Sequence, residues 1–250
     1  MIRAARWLAP LALALAACAA PPTAPPLRVA SDLDNRPFAW VDDAGTPHGR
    51  DVEMMQAVAD RLGRTLVWTR QPFDTLLPAA QAGEVDVVCA TLGVTPERQQ
   101  LVAFSIPYFH TELACVTLAA PGAPHTLAEL AGRRVGAGTG TTSARALALR
   151  VPQATAVLEN KAGLPALERL QSGAVDALVM DGPAADALVA SAPGVLVRLP
   201  ESFGPEDYAL VLPPGSALRE PVDAVLRALE RDGTLARLDA AHGLRQAAAR

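Results

Sequence analysis

The chain has 250 residues, of which 50% are hydrophobic and 19% are charged, and its formal net charge at pH 7 is -4. This composition is that of a globular α/β protein with enough apolar material for more than one hydrophobic core. A slightly acidic chain offers no basic surface to nucleic acid, so we exclude a nucleic-acid partner.

The first 18 residues have the pattern of a lipoprotein signal peptide. Arg3 and Arg6 flank the start of an apolar stretch, and the sequence Leu15-Ala-Ala-Cys18 ends it. The stretch is too short to span a membrane, and small residues before a cysteine predict cleavage and lipidation at Cys18. The alternative is an ordinary secretory signal with an incidental cysteine. Residues 19–26 contain four prolines and predict a stiff tether, so we expect a periplasmic protein anchored to a membrane through Cys18.

Hydrophobic periodicity predicts alternating strands and helices in the rest of the chain. The first elements are a strand at 27–31, a helix at 51–62, a strand at 65–69, a helix at 73–82 and a strand at 85–90. Next come a strand at 112–119, a loop at 121–124, a strand at 134–136, helices at 143–149 and 165–171, and a strand at 175–180. The last are a strand at 208–212 and helices at 217–231 and 235–241. Such alternation predicts a mostly parallel sheet that binds ligands at the carboxyl ends of its strands.

One stretch of sequence occurs twice. Gln81-Ala-Gly-Glu-Val-Asp-Val-Val88 is similar to Gln171-Ser-Gly-Ala-Val-Asp-Ala-Leu178, and each copy follows an apolar helical pattern. Glycine ends a helix well because it adopts the left-handed conformation without steric cost. Two copies of a helix that leads into a strand predict two similar α/β units, with a cleft between them.

Arg98 is the residue with the clearest binding chemistry. Thr95 has the character of a helix N-cap, Pro96 suits the first helical position, and Glu97 suits the positive helix end. This pattern places Arg98 in a first helical turn near the end of a strand, where a guanidinium can bind a carboxylate through two hydrogen bonds. The alternative is a surface arginine in an ion pair of little energetic value.

Three further features are candidates for binding. Gly138-Thr-Gly140 precedes a helix and could offer free backbone N–H groups to an anion, although the same pattern is common in simple tight turns. Asp181 follows the second repeat and could bind a cation, or it could cap the helix after Pro183. Phe73 could line a pocket, although aromatic residues near strand ends more often belong to the core.

The cysteines and histidines leave one question open. Cys89 and Cys115 both lie on predicted strands, so they could form a disulfide in an oxidising compartment, or remain buried free thiols. The four histidines are scattered and have no spacing typical of metal ligands or of a catalytic set. We therefore expect no metal, no cofactor and no catalytic residue.

Taken in order, several motifs resemble those of the family-3 extracellular solute-binding proteins, the periplasmic amino-acid-binding proteins of ABC importers. They are Leu27-Arg-Val-Ala-Ser-Asp32, Gly49-Arg-Asp-Val-Glu53, Leu77 to Asp86, Thr95-Pro-Glu-Arg98, Phe104-Ser105 with Pro107-Tyr108, Gly138 to Gly140, and Val175-Asp176 to Asp181. The resemblance implies a type II bilobed periplasmic-binding-protein-like fold, in which two α/β lobes are joined by a two-strand hinge. Lobe 1 would comprise 27–117 and 205–243, lobe 2 would comprise 118–204, and 244–250 would be a flexible tail.

The resemblance also implies roles for individual residues. Arg98 would bind the α-carboxylate of an amino acid, with help from the amide of Gly140 and the side chain of Thr139, and Asp181 would bind the α-ammonium. The remaining positions that match ligand-contacting positions of the family are Asp32, Asn35, Phe38, Phe73, Thr91 and Gly93.

Three of these family positions hold unusual residues. Asn35 replaces the usual stacking aromatic residue, Gly93 replaces a hydroxyl-bearing residue, and Gly136 replaces a long polar side chain. We expect a roomier and less polar pocket, which favours a bulky or weakly polar amino acid, or an organic acid without an amine.

The implied function is capture of a small carboxylate ligand by a monomeric protein that closes on it and delivers it to an inner-membrane ABC permease. The alternatives are an enzyme similar to the cyclohexadienyl dehydratases, which share this fold, and a periplasmic adaptor or sensor protein. No residue set typical of an enzyme accompanies the motifs, so we expect a binding protein.

Overall fold

The computed structural model describes residues 24–159 and 165–247. The strands are β1 Leu27–Ser31, β2 Asp34–Asn35, β3 Ala39–Val41, β4 Pro47–His48, β5 Leu66–Arg70, β6 Val87–Val88, β7 Ala103–Leu118, β8 Arg134–Gly138, β9 Thr155–Glu159, β10 Ala177–Asp181, β11 Leu196–Arg198 and β12 Gly204–Leu212. The helices are α1 Arg50–Arg61, α2 Phe73–Gln81, α3 Pro96–Gln99, α4 Thr142–Arg150, α5 Ala166–Gln171, α6 Gly182–Ser191, α7 Arg219–Arg231 and α8 Thr234–Ala241. The predicted signal peptide, Cys18 and most of the tether lie outside the described residues.

The main sheet extends through both lobes in the order β5-β1-β6-β12-β7-β10-β8-β9, and β11 also pairs with β7. The pairs β1 with β5, β1 with β6, β8 with β9 and β8 with β10 are parallel, as predicted. The long strands β7 and β12 are antiparallel to each other and connect the lobes. The predicted two-strand hinge is therefore confirmed, although β7 begins nine residues before the predicted strand.

The two copies of the repeat occupy equivalent places in the two lobes. The carboxylate of Asp86 accepts a hydrogen bond of 2.9 Å from the amide of Arg28 in β1, and that of Asp176 accepts one of 2.8 Å from Arg134 in β8. Each aspartate also pairs with the guanidinium of the same arginine. The repeated Val-Asp pair thus joins the chain after each helix to the neighbouring parallel strand, which explains why both units contain it.

Apolar residues cover both faces of each half of the sheet. In lobe 1, Val87 faces the cluster that contains α1 and α7, whereas Val88 faces the cluster that contains α2. In lobe 2, Cys115 and Val116 divide in the same way between two further clusters. Cys89 belongs to a lobe 1 cluster, so the cysteines lie in different lobes and both are buried free thiols. Of the two alternatives predicted for the cysteines, buried free thiols are confirmed. Burial raises the pKa of the Cys115 thiol to about 12.

Two predicted boundaries are wrong. The predicted start of lobe 2 at 118 is too late, because β7 already packs in the lobe 2 core from Leu113 onwards. The predicted flexible tail is wrong for residues 244–247, because Leu244 is buried in the lobe 1 core and the amide of Ala247 donates to the carbonyl of His110. The small sheet of β2, β3 and β4 was not predicted, nor were β9 and β11.

Within the described residues, no helix has the length and apolar character needed to cross a membrane.

A buried charged cluster joins the end of the chain to lobe 1. The guanidinium of Arg50 is fully buried and donates 2.8 Å to Asp239 in α8, 3.2 Å to Asp51 and 3.2 Å to the carbonyl of Tyr108 in β7. The hydroxyl of Tyr108 donates to Asp51 at 2.7 Å. Because buried charges are costly without partners, this cluster fixes α8 against α1 and the hinge strand.

We predict that Asp239→Ala lowers the free energy of unfolding by about 2–3 kcal/mol, because it leaves buried donors of Arg50 without a partner. Urea unfolding followed by circular dichroism measures this loss. The matched control is Arg61→Ala, which removes an ion pair with Asp232 whose two side chains are well exposed. A loss in Asp239→Ala no larger than in the control would contradict the assigned role of the cluster.

Candidate functional site

A cavity of ≈ 210 Å³ lies between the lobes at the carboxyl ends of strands from both. It opens beside a wider cleft of ≈ 540 Å³, with which it shares Asp34, Phe73, Gly138 and Thr141. The cavity is lined by Asp34, Asn35, Phe73, Thr91, Gly93, Arg98, Gly138, Thr141, Thr142, Ser143, Val179, Met180, Asp181 and Ala184. Five of these residues, Asn35, Phe73, Thr91, Gly93 and Arg98, are lobe 1 residues that the sequence singled out.

The lobe 1 wall contains unusual backbone. Leu33, after β1, and Thr91, after β6, both have a φ of 48°, a region that β-branched residues such as threonine rarely adopt. The hydroxyl of Thr91 donates to the carbonyl of Ala90 at 2.8 Å and accepts from the side-chain amide of Asn35 at 2.7 Å. This positive φ turns Thr91 into the cavity, where Asn35 is held beside it. Strained conformations of this kind concentrate at functional sites.

Arg98 crosses the gap between the lobes. The side chain of Thr95 caps α3 by accepting from the amide of Arg98, as predicted. The guanidinium is largely buried and donates 2.8 Å to the carbonyl of Gly93 in lobe 1 and 3.0 Å to the carbonyl of Gly140 in lobe 2. Burial lowers the pKa of Arg98, whereas the nearby carboxylates of Glu206 and Asp181 oppose this effect. The surface ion-pair alternative for Arg98 is therefore wrong.

The lobe 2 wall is formed by the start of α4. Thr141 is the N-cap, and its hydroxyl accepts from the amide of Ala144 at 3.3 Å. Thr142 and Ser143 then line the cavity, whereas Thr139 lines the wider cleft. Gly140 accepts a hydrogen bond from Arg98 through its carbonyl oxygen. The contact of its amide with a ligand carboxylate, which the family resemblance implies, stays a prediction.

The other predicted residues fall in three places. Asp181 lines the cavity at the N-cap position of α6, where its side chain makes no capping hydrogen bond. Asp32 lines the wider cleft rather than the cavity. The prediction for Phe38 is wrong, because its ring is 2% exposed and packs edge-on against Phe109 and Tyr208 in the lobe 1 core.

Acidic residues dominate the described lining of the wider cleft. Within residues 24–159 and 165–247, the cleft is lined by the carboxylates of Asp32, Asp34, Asp74 and Glu159 and by one cation, Arg70. Glu159 also pairs with the largely buried Arg169 at 3.0 Å. Among the described residues of this cleft, the carboxylates outnumber the two arginines, and such an excess attracts a positively charged group.

The sequence did not single out Glu206. It lies on β12, is 6% exposed and accepts a hydrogen bond of 2.7 Å from the hydroxyl of Thr142. A side chain at Gly93 would overlap the carboxylate of Glu206. The space beside Gly136 is filled in the same way, by Leu178 and by the guanidinium of Arg169. The expectation of a roomier pocket is therefore wrong at these two glycines. Residues distant in the sequence take up the space, which no local pattern indicates.

The sequence and the fold of the chain are similar to those of known proteins. The family model described as bacterial extracellular solute-binding proteins, family 3, matches residues 27–244. A probable histidine-binding protein of Neisseria gonorrhoeae is 30% identical over 229 residues, which cover 84% of this chain and 84% of that protein. An ancestral arginine-binding protein with bound arginine superposes with a TM-score of 0.78 and 31% identity, covering 86% of this chain and 97% of that one. An ancestral amino acid-binding protein, a precursor of cyclohexadienyl dehydratase, superposes with a TM-score of 0.76 and 29% identity, covering 86% of this chain and 94% of that one.

Two α/β lobes that enclose a cavity at their shared hinge define a solute-binding protein of the bilobed class. The chain belongs to the bacterial extracellular solute-binding proteins, family 3, and it is a substrate-binding protein. Among residues 24–159 and 165–247, no group of three or more histidine, cysteine, aspartate or glutamate side chains is arranged to hold a metal ion.

We predict that Gly93→Ala destabilises the protein by about 1–3 kcal/mol, because the new methyl group overlaps the carboxylate of Glu206 and crowds Thr142. Thermal unfolding measures the effect. In a Glu206→Ala background the same substitution costs less, because the main overlap is gone. Equal costs in both backgrounds would show that the two residues do not compete for this space.

Proposed function

We propose that the protein is the amino-acid-binding component of an ABC importer, and that the ligand lies in the interlobe cavity between Arg98 and Asp181. The observation that carries the proposal is this pairing of a buried guanidinium and a carboxylate along one small cavity. Two of the five N–H donors of Arg98 serve the carbonyls of Gly93 and Gly140, which leaves donors for an α-carboxylate. Asp181 binds the α-ammonium.

The ligand side chain extends into the wider acidic cleft, and we propose that it carries a positive charge. The excess of carboxylates there supports a cationic amino acid, and so do the arginine- and histidine-binding relatives. Phe73 lines both spaces and packs against the aliphatic part of such a side chain. This proposal replaces the expectation of a weakly polar ligand, which rested on Asn35, Gly93 and Gly136.

Binding is coupled to lobe closure through β7 and β12. The ligand contacts both lobes only in the closed state, so its binding shifts the population towards that state. Arg98 already joins the lobes through the carbonyl of Gly140, and a ligand between Arg98 and Thr142 adds further contacts across the gap. The closed monomer is the form that docks on the membrane permease.

We predict that arginine, lysine or histidine raises the melting temperature of residues 19–250, whereas neutral amino acids have at least about tenfold weaker affinity.

We predict that Arg98→Ala removes the carboxylate contact and weakens binding about a hundredfold or more without unfolding the protein. The control is Arg145→Ala, which removes an exposed arginine that pairs with Glu97. Unchanged affinity in Arg98→Ala would refute the carboxylate contact.

We further propose that the protein is not an enzyme. The solved precursor of cyclohexadienyl dehydratase is the reason to test this, because it has the same fold. A dehydratase needs an acid that reaches the substrate's leaving hydroxyl, whereas the acids lining the cavity have binding roles in the proposed complex. Incubation with prephenate or arogenate should give no product, and turnover would favour the enzyme alternative. Co-purification of a dehydrogenase or kinase instead of a permease would favour an adaptor or sensor.

We also propose the lipid anchor at Cys18. In cells that produce Cys18→Ser, the protein should be lost from the membrane fraction, because no fatty chain is attached to residue 18 of the variant. Fractionation followed by mass spectrometry of the mature N-terminus checks this. Lobe sequences are unchanged, so ligand affinity should be retained. Persistent membrane association in the variant, or an unmodified Cys18 in the wild type, would refute the anchor.

A further inference from the structure

Glu206 is a buried carboxylate that the proposed binding mode does not use. It lies on hinge strand β12, opposite Thr111 of β7, at the point where both lobes meet. Its carboxylate fills the space beside Gly93 and accepts from Thr142. Both of these neighbours line the cavity, so Glu206 stands immediately behind the surface that a ligand touches.

The contact with Thr142 determines what that hydroxyl offers to a ligand. A hydroxyl has one donor hydrogen and two acceptor lone pairs. When Glu206 is ionised, Thr142 donates its hydrogen to that carboxylate, and only the acceptor capacity of the hydroxyl remains for the cavity. Such a hydroxyl favours an N–H donor and disfavours a second acceptor such as a carboxylate oxygen.

The charges around the cavity point in the same direction. Arg98 supplies one positive charge, and three carboxylates act on it, namely the ionised Glu206, Asp181 and, least strongly, Glu97. A ligand that brings only a carboxylate adds a further negative charge. A ligand that brings an ammonium group beside its carboxylate adds no net charge at this end of the cavity.

We propose that Glu206 is a positioning residue that makes the site select ligands with an ammonium group beside the carboxylate over carboxylates without one. It acts through the orientation of Thr142 and through partial neutralisation of Arg98. The inference rests on the proposed function and deepens it, because it separates amino acids from organic acids of the same shape.

The selectivity depends on pH. Burial raises the pKa of Glu206 to about 7, the charge of Asp181 adds to the rise and that of Asp207 adds a little, and Thr142 and Arg98 oppose it. The titratable and charged groups that face Glu206 are therefore Arg98 of α3, Asp181 at the end of β10, and Asp207 and Tyr208 of β12. Below neutral pH Glu206 is protonated and can donate to Thr142, which frees that hydroxyl to donate to a carboxylate. Selectivity for the amine should therefore increase as pH rises through about 7.

The test compares arginine with δ-guanidinovalerate, which is arginine without its α-amine, by titration calorimetry at pH 6 and pH 8. If another amino acid binds best in the melting-temperature experiment, the test uses that amino acid and its analogue without the α-amine instead of arginine and δ-guanidinovalerate. In the wild type, we expect the ratio of the two affinities to increase about tenfold between these pH values, as for a change of one pKa unit. In Glu206→Gln, which keeps the shape but cannot ionise, we expect a ratio that does not change with pH.

The matched control is Asp207→Asn, which alters the next acidic side chain on the same strand, exposed and paired with His110. It should keep a pH-dependent ratio, with the midpoint moved slightly to lower pH, because the charge of Asp207 raises the pKa of Glu206 a little. If the affinity ratio in Glu206→Gln changes with pH as much as in the wild type, the positioning role is overturned. If Glu206→Gln instead lowers the affinities for both ligands by the same factor, Glu206 is a structural residue. If no amino acid or carboxylate binds, the proposed function fails first, and this inference fails with it.

Discussion

The site depends on the antiparallel pairing of β7 with β12. These two strands carry the chain between the lobes, and their hydrogen bonds run from Ala103 with Leu212 to Leu113 with Gly204. Because each strand belongs to both halves of the sheet, the carboxyl ends of the parallel strands in the two lobes face one gap. Arg98 and Asp181, which are far apart in the sequence, therefore line the same cavity.

Charge is distributed unevenly along that gap. At the hinge, a buried guanidinium is accompanied by Asp181 and Glu206, and it is held by main-chain carbonyls of both lobes. In the wider cleft, the described lining residues are mainly acidic. In the proposed complex, a zwitterionic head group and a cationic side chain match the two ends respectively, and the protein discriminates by charge at two separate points. The fold provides the gap, and in that proposal these few side chains provide the specificity.

Local patterns predicted much of the fold. The apolar faces of α1 and α7, the glycines that end helices at Gly83 and Gly173, and the two Val-Asp pairs all indicate their structures through neighbouring residues. The capped turn that presents Arg98 was also predictable, because Thr95 and Pro96 act within one helical turn. The start of lobe 2, the buried Leu244 and the core position of Phe38 were not predicted, since each depends on contacts with distant parts of the chain.

The sequence by itself determined the two repeated α/β units, the family and the guanidinium that faces the cavity. Motif spacing and helix capping act over a few residues and can be read along the chain. Only the tertiary structure decided what surrounds that guanidinium. The positions of Glu206 beside Gly93 and of Arg169 beside Gly136 depend on packing between elements far apart in the sequence. A glycine in the sequence indicates missing side-chain volume, but only the folded chain shows which distant side chain occupies it.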